Sequence, residues 1–117
     1  MAEPVLTRGN IWLVDLGQDP EDPEQAFVRP ALIVSDDRLH HPRLSMVIVV
    51  PGTSTLRSLP MHLEVEPDSD NGLDTPTAFQ TEQVRAVSTR RLHSVIGRLG
   101  VVEQEAIDEI LRTILRL

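Results

Sequence analysis

Apolar residues along this chain fall in short blocks separated by proline, glycine and acid, and only the last block has a helical period. The first block, "NIWLVDL" at 10–16, reads as a strand entered from Arg8-Gly9. "GQDPEDPEQA" follows, too rich in proline and acid for a helix or a central strand, and is expected to be an exposed loop. In "VRPALIVS" the run Ala31, Leu32, Ile33, Val34 has the character of a strand buried on both faces, ending near Ser35. "DDRLHHPRL" is a connector. "SMVIVV" is a β-branched run that stops at a turn expected at Pro51-Gly52.

The next segment, "MHLEVE", alternates strictly. Met61, Leu63 and Val65 would face the core, and His62, Glu64 and Glu66 would face water. "PDSDNGLDTP" is loop, with Asn71-Gly72 as its turn signal. "TAFQTEQVRAV" reads as one strand without clean alternation, since Gln83 and Arg85 would share a face with Phe79 and Val87. One side of such a strand can line a site. Ser88 can cap a short helical turn through "TRRL", and "SVIGRLG" is a last extended piece.

From about Val102 the spacing changes. Ile107, Ile110, Leu111, Ile114 and Leu115 follow i, i+3, i+4, i+7, i+8, with acids in the first turns and Arg112 and Arg116 near the end. Short strands, then one amphipathic packing helix, indicate a mostly-β (α+β) chain: a small barrel with a helix laid on it.

Length and charge narrow the picture. At 117 residues the chain is expected to be a single domain over 1–117. No apolar run approaches the roughly 18 residues of a membrane span, and no charged-then-apolar leader opens the sequence. The absence of cysteine excludes disulfides and thiolate metal sites and suits a cytoplasmic protein. A net charge of −7 argues against a general electrostatic nucleic-acid binder, though not against a local basic site. Trp12, Phe27 and Phe79 are the only aromatic residues, too few for a base-stacking platform.

Candidate chemistry is sparse. His62 reads as plain surface, His40 and His41 are adjacent in a loop, and His93 stands alone, so no metal site and no cofactor are expected. Arg29 is the anomaly: a permanent cation at the head of an apolar strand, locked by Pro30. It can be a boundary residue snorkelling into solvent. It can equally be aimed, because Pro30 restricts the preceding residue to extended geometry and a planar five-donor cation matches a phosphate. Thr53-Ser54-Thr55 can be a hydroxyl–backbone turn or a site. The patch Glu82, Gln83, Arg85 can be an exposed strand face.

Together and in order, these pieces resemble a family. "RGNIWLVDL", the acidic loop ending in Glu24, "VRPALIVS", "VIVVPGTS", "NGLDTPTAFQTEQVRAV", "RRL", "IGRL" and a C-terminal helix are similar to the MazF/PemK toxins. The resemblance implies an SH3-like barrel, a homodimer, and a ribosome-independent endoribonuclease acting on single-stranded RNA. Its antitoxin partner would lay an acidic, largely disordered tail across the RNA groove. The family's catalytic arginine falls on Arg29 and its hydroxyl residue on Thr53. Glu24 is the candidate base, and Asp36, Ser54, Gln83 and Arg85 are expected to contact RNA. The products would be a 2′,3′-cyclic phosphate and a 5′-hydroxyl, formed without a metal. The loop before Glu24 reads "DPEDP" where the family has a glycine-rich pattern.

Two alternatives stay open at this point. CcdB shares the barrel and traps DNA gyrase without cutting RNA, but relies on a C-terminal Trp-Gly-Ile, whereas this chain ends "ILRTILRL". A MazF-like chain that binds its partner without cleaving is the other.

Overall fold

The computed structural model describes residues 6–17 and 28–117. Glu24, Phe27 and most of the expected acidic loop lie outside the described residues. The elements in chain order are β1 (Asn10–Asp15), β2 (Val28–Ile33), β3 (Met46–Thr53), β4 (His62–Val65), β5 (Thr77–Gln80), β6 (Arg85–Ser88), β7 (Leu92–Arg98) and α1 (Val101–Leu115). All pairings are antiparallel, in the order β4-β5-β3-β2-β1-β7, with β6 also paired to β3. Among the described residues β6 and β7 do not pair, so the expected barrel is a curled sheet left open at that seam.

The sheet separates two apolar layers. Ile11, Leu32, Val50, Phe79, Leu99 and Ile107 form one, on the side covered by α1. Trp12, Val14, Ala31, Ile33, Val49 and Val87 belong to the other. No helix covers this second face among the described residues, yet Val14, Ala31, Ile33, Val47 and Val49 are 0% exposed. The sheet therefore curls with this face inside, as right-handed strand twist favours.

Three expectations are corrected. Pro51-Gly52 is not a turn, since β3 continues through it to Thr53. The edge of β3 pairs with β6 over Met46, Val47, Ile48 and Val49 and with β5 at Gly52 and Thr53, so Pro51, lacking an N–H, falls between the two partners. The single strand expected over 77–87 is two, broken by a 3-10 turn at Thr81–Gln83. That break leaves Phe79 and Val87 buried while Gln83 and Arg85 are exposed.

His62 is not surface: its side chain is 1% exposed. Strand β4 is covered at its start on both faces. Leu63 packs on the α1-side core, and the 81–83 turn brings Glu82 onto His62. Alternation alone sees one face of a strand and cannot see what folds over the other. The terminal helix is present as expected: α1 begins at Val101 and packs mainly through its first half. Ile107 is 0% exposed and Leu111 touches the core, whereas Ile114 and Leu115 are 38% and 50% exposed. Arg8 pairs with Asp108 and donates to Val34 O (2.6 Å), tying α1 to the sheet. Ser88 caps the 89–91 turn as expected, accepting from Arg90 N at 3.2 Å.

Candidate active site

Antiparallel register decides which side chains can meet, because directly paired residues point to the same face. Val14 pairs with Arg29, Ala31 with Pro51 and Thr53 with Ala78. Arg29, Ala31, Pro51 and Thr53 therefore share one face. The β2–β3 register, continued two residues past Ala31 and Pro51, sets Arg29 across from Thr53. Arg85 pairs with Val49, which pairs with Ile33, so it joins the same face, and its side chain reaches Leu16 O just past the end of β1. The apolar inner face thus ends in a polar mouth, at the exits of β1 and β3 and the starts of β2 and β6.

Each member is held by local structure. Pro30 confines Arg29 to the extended region, and the arginine is half-buried with its Nη1 out of solvent contact. Thr53 is 3% exposed, and its Oγ1 accepts from Thr55 N at 3.1 Å. The hydroxyl–backbone turn is therefore present, and it leaves the Thr53 hydroxyl proton available to donate. Gly52 is required by close approach: a Cβ there would lie 2.6 Å from Thr77 Cγ2 and 3.3 Å from Pro30 O. Only a bare backbone lets β5 press against β3 beside Thr53. Arg85 Nη1 donates to Leu16 O at 3.3 Å, and no carboxylate among the described residues pairs with it.

The other expected residues divide. Ser54 follows Thr53 and is exposed, and Gln83 is exposed on the 81–83 turn. Asp36 is not brought to this mouth. It lies three residues beyond the far end of β2, caps a 3-10 turn and pairs with Arg38 at 2.9 Å. The Arg38 side chain, and then the Arg38 backbone N–H, lower its pKa from 3.8 to about 2. Among the described residues no cluster of three or more His, Cys, Asp or Glu side chains could hold a metal ion. His40, 4% exposed, bonds Leu6 O and Ser35 Oγ instead. A cleft of about 730 Å³ lies elsewhere, with Trp12, His40, His41 and His93 in its wall and none of the mouth residues.

The sequence of residues 7–115 matches the family of PemK-like, MazF-like toxins of type II toxin–antitoxin systems. The chain belongs to this family. It is 34% identical over 113 residues to endoribonuclease MazF9 of Mycobacterium tuberculosis, covering 92% of this chain and 94% of that one. Its fold is similar to a mycobacterial endoribonuclease solved in complex with its cognate antitoxin, with a TM-score of 0.76, 25% identity and 96% of each chain covered. MazF from Deinococcus radiodurans shares the fold, with a TM-score of 0.77 at 20% identity over 98% of this chain and all of that one. In this MazF-like toxin Arg29 and Thr53 share one face at the ends of neighbouring strands.

One pair escaped sequence reasoning. His62 Nε2 lies 2.8 Å from Glu82 Oε2, on the same face as Thr53. The only hint in the sequence is that "TEQ" interrupts alternation between two strand-like runs.

Proposed function

We propose that this toxin is a sequence-selective endoribonuclease that cuts single-stranded RNA through attack of a ribose 2′-hydroxyl on the adjacent phosphorus. The 2′-O–P bond forms, the P–O5′ bond breaks, and the ends are a 2′,3′-cyclic phosphate and a 5′-hydroxyl. The observation that carries this reading is the placement of Arg29 and Thr53 on one face at the ends of neighbouring strands. The relatives' endoribonuclease names support it.

Negative charge builds on the phosphoryl oxygens as the 2′-oxygen attacks. The Arg29 guanidinium, partly withdrawn from water, stabilises that charge and can donate a proton to the departing 5′-oxygen. Thr53 donates its hydroxyl to a phosphoryl oxygen and orients it. An arginine is a poor base near neutrality, its pKa lying above about 12. Glu24 is the residue assigned to accept the 2′-hydroxyl proton. The nucleophile is supplied by the substrate itself, so the chemistry needs no metal-bound water. Ser54, Gln83 and Arg85 contact the strand as it crosses the mouth. Asp36, distant from Arg29 within one chain, does so only weakly or through a longer strand.

The partners follow from the same surface. A homodimer would cover apolar side chains such as Val101, Val102 and Leu115, which are 74%, 75% and 50% exposed. A cognate antitoxin with an acidic, disordered tail would occupy the Arg29–Arg85 mouth in place of RNA phosphates, and the pair would act in the cytoplasm. Incubating purified wild-type and Arg29→Ala protein with mixed-sequence RNA in EDTA tests the reading. The wild type should cut and the variant should not; an intact RNA pool with both proteins would refute it.

A further inference from the structure

The cleavage chemistry makes no use of His62, and its setting is not that of a space-filling residue. The imidazole is 1% exposed, its Nε2 meets Glu82 Oε2 at 2.8 Å, and its Nδ1 is buried with no hydrogen-bond partner. A carboxylate only accepts, so the network assigns a proton to Nε2. Leucine at this position would bury comparable apolar surface without orphaning a ring nitrogen. What histidine adds is one N–H aimed at one carboxylate oxygen.

That carboxylate rides on a fixed turn. Thr81 donates to Met61 O through both its backbone N (3.3 Å) and its Oγ1 (2.6 Å), and Val84 N donates to Thr81 O (3.1 Å). Helix α1 packs behind the turn. The Glu82 side chain is 38% exposed, so lone pairs not engaged by His62 meet solvent. Register places it near the chemistry. His62 pairs with Gln80, two residues along β5 from Ala78, the partner of Thr53. That is about 7 Å along the sheet and two strand spacings, about 10 Å, across it.

We propose that His62 is a positioning residue of the RNA groove, orienting the Glu82 carboxylate to accept a hydrogen bond from an amino-bearing base beside the scissile phosphate. The inference rests on the nuclease reading of the Arg29 mouth. A held carboxylate accepts from the exocyclic amines of guanine, adenine or cytosine, whereas uracil has no exocyclic amine and flanks its single N3–H donor with two carbonyls that repel a carboxylate. Without His62, the Glu82 side chain would regain its rotamer freedom and a full hydration shell. Binding would weaken and the preference at that base would blur.

The test uses wild type, His62→Leu, His62→Gln and Glu82→Ala, each with its melting temperature, on random-sequence RNA whose cut ends are sequenced. Gln can present an amide N–H where Nε2–H stood. His62→Leu and Glu82→Ala should raise KM on the preferred sequence about tenfold with kcat little changed, the loss expected of one charge-assisted hydrogen bond. Both should admit uracil at one position next to the cut, and His62→Gln should restore the preference. Should His62→Leu fail to fold, Glu82→Ala, on an exposed turn, decides. Unchanged preference and KM in the folded variants would overturn the inference. So would equal losses in His62→Leu and His62→Gln that track their melting temperatures, which would make His62 a packing residue. Absence of cutting by the wild type would instead overturn the nuclease reading, and the inference with it.

Discussion

Arg29 and Thr53 lie on one face of the sheet at the ends of adjacent strands, in a register carried by the Ala31–Pro51 pair. Local backbone features help to place both. Pro30 fixes the backbone before one, and Gly52 lets a neighbouring strand close on the other. A cation and a hydroxyl are thereby presented together with little conformational freedom left to lose, as transition-state stabilisation requires.

Arg29→Ala should lower kcat by a factor of about 10²–10³, the usual effect of removing one charge-stabilising donor. Melting should change little, because the half-buried side chain stands at the mouth and not in the apolar layer. Arg29→Lys should recover little, since a point charge cannot make the bidentate contact. Single-turnover rates on one RNA read both; a lysine variant at wild-type rate would remove the need for a planar donor.

Thr53→Ala should reduce kcat more than it raises KM, a small hydroxyl adding little ground-state affinity. Thr53→Ser should retain most activity, because it keeps the oxygen that accepts from Thr55 N. Loss confined to KM would place Thr53 in substrate binding alone.

Gly52→Ala should destabilise the protein by about 1–3 kcal/mol through overpacking against Thr77 Cγ2. Thr77→Ser removes that methyl, so the double variant should recover part of the loss. A denaturant titration of the four proteins gives the coupling. Additive effects would mean that the strain is relieved elsewhere, against Pro30 or Phe79.

How much of this was legible in the sequence varies with range. Local chemistry was readable: the Ser88 cap, the Asn71-Gly72 turn, and the terminal helix with Ile107 at its buried centre. Pro51-Gly52 misled because the same dipeptide serves where a strand changes partners, which is a property of β5 and β6 and not of the dipeptide. His62 misled for a similar reason. Its neighbours Gln80 and Glu82 are near it only after β4 and β5 pair. Motif order led to Arg29 and Thr53, but their shared face needed the register.

The Asp36–Arg38 pair gives a pH signature separate from activity. The folded-state pKa of Asp36, about 2, lies below its ordinary 3.8. The pair's contribution is therefore fully present above the ordinary value and is lost as pH falls from about 4 towards 2. Asp36→Asn should melt slightly lower than wild type at pH 6, with the gap closing near pH 2 and shrinking in high salt, because both side chains are exposed. A gap that persists at pH 2 would assign the effect to the backbone cap.

The central claim is that the substrate's own 2′-hydroxyl attacks a phosphate held by Arg29 and Thr53. One measurement addresses it most directly. An RNA containing the preferred cut site is compared with the same strand carrying a single 2′-deoxy nucleotide 5′ to the scissile phosphate, both in EDTA, with product ends identified by mass. The all-ribose strand should give a 2′,3′-cyclic phosphate and a 5′-hydroxyl, and the deoxy strand should stay intact at that bond. Cleavage of the deoxy strand at the same bond, or dependence of ribose-strand cleavage on added divalent metal, would contradict the mechanism.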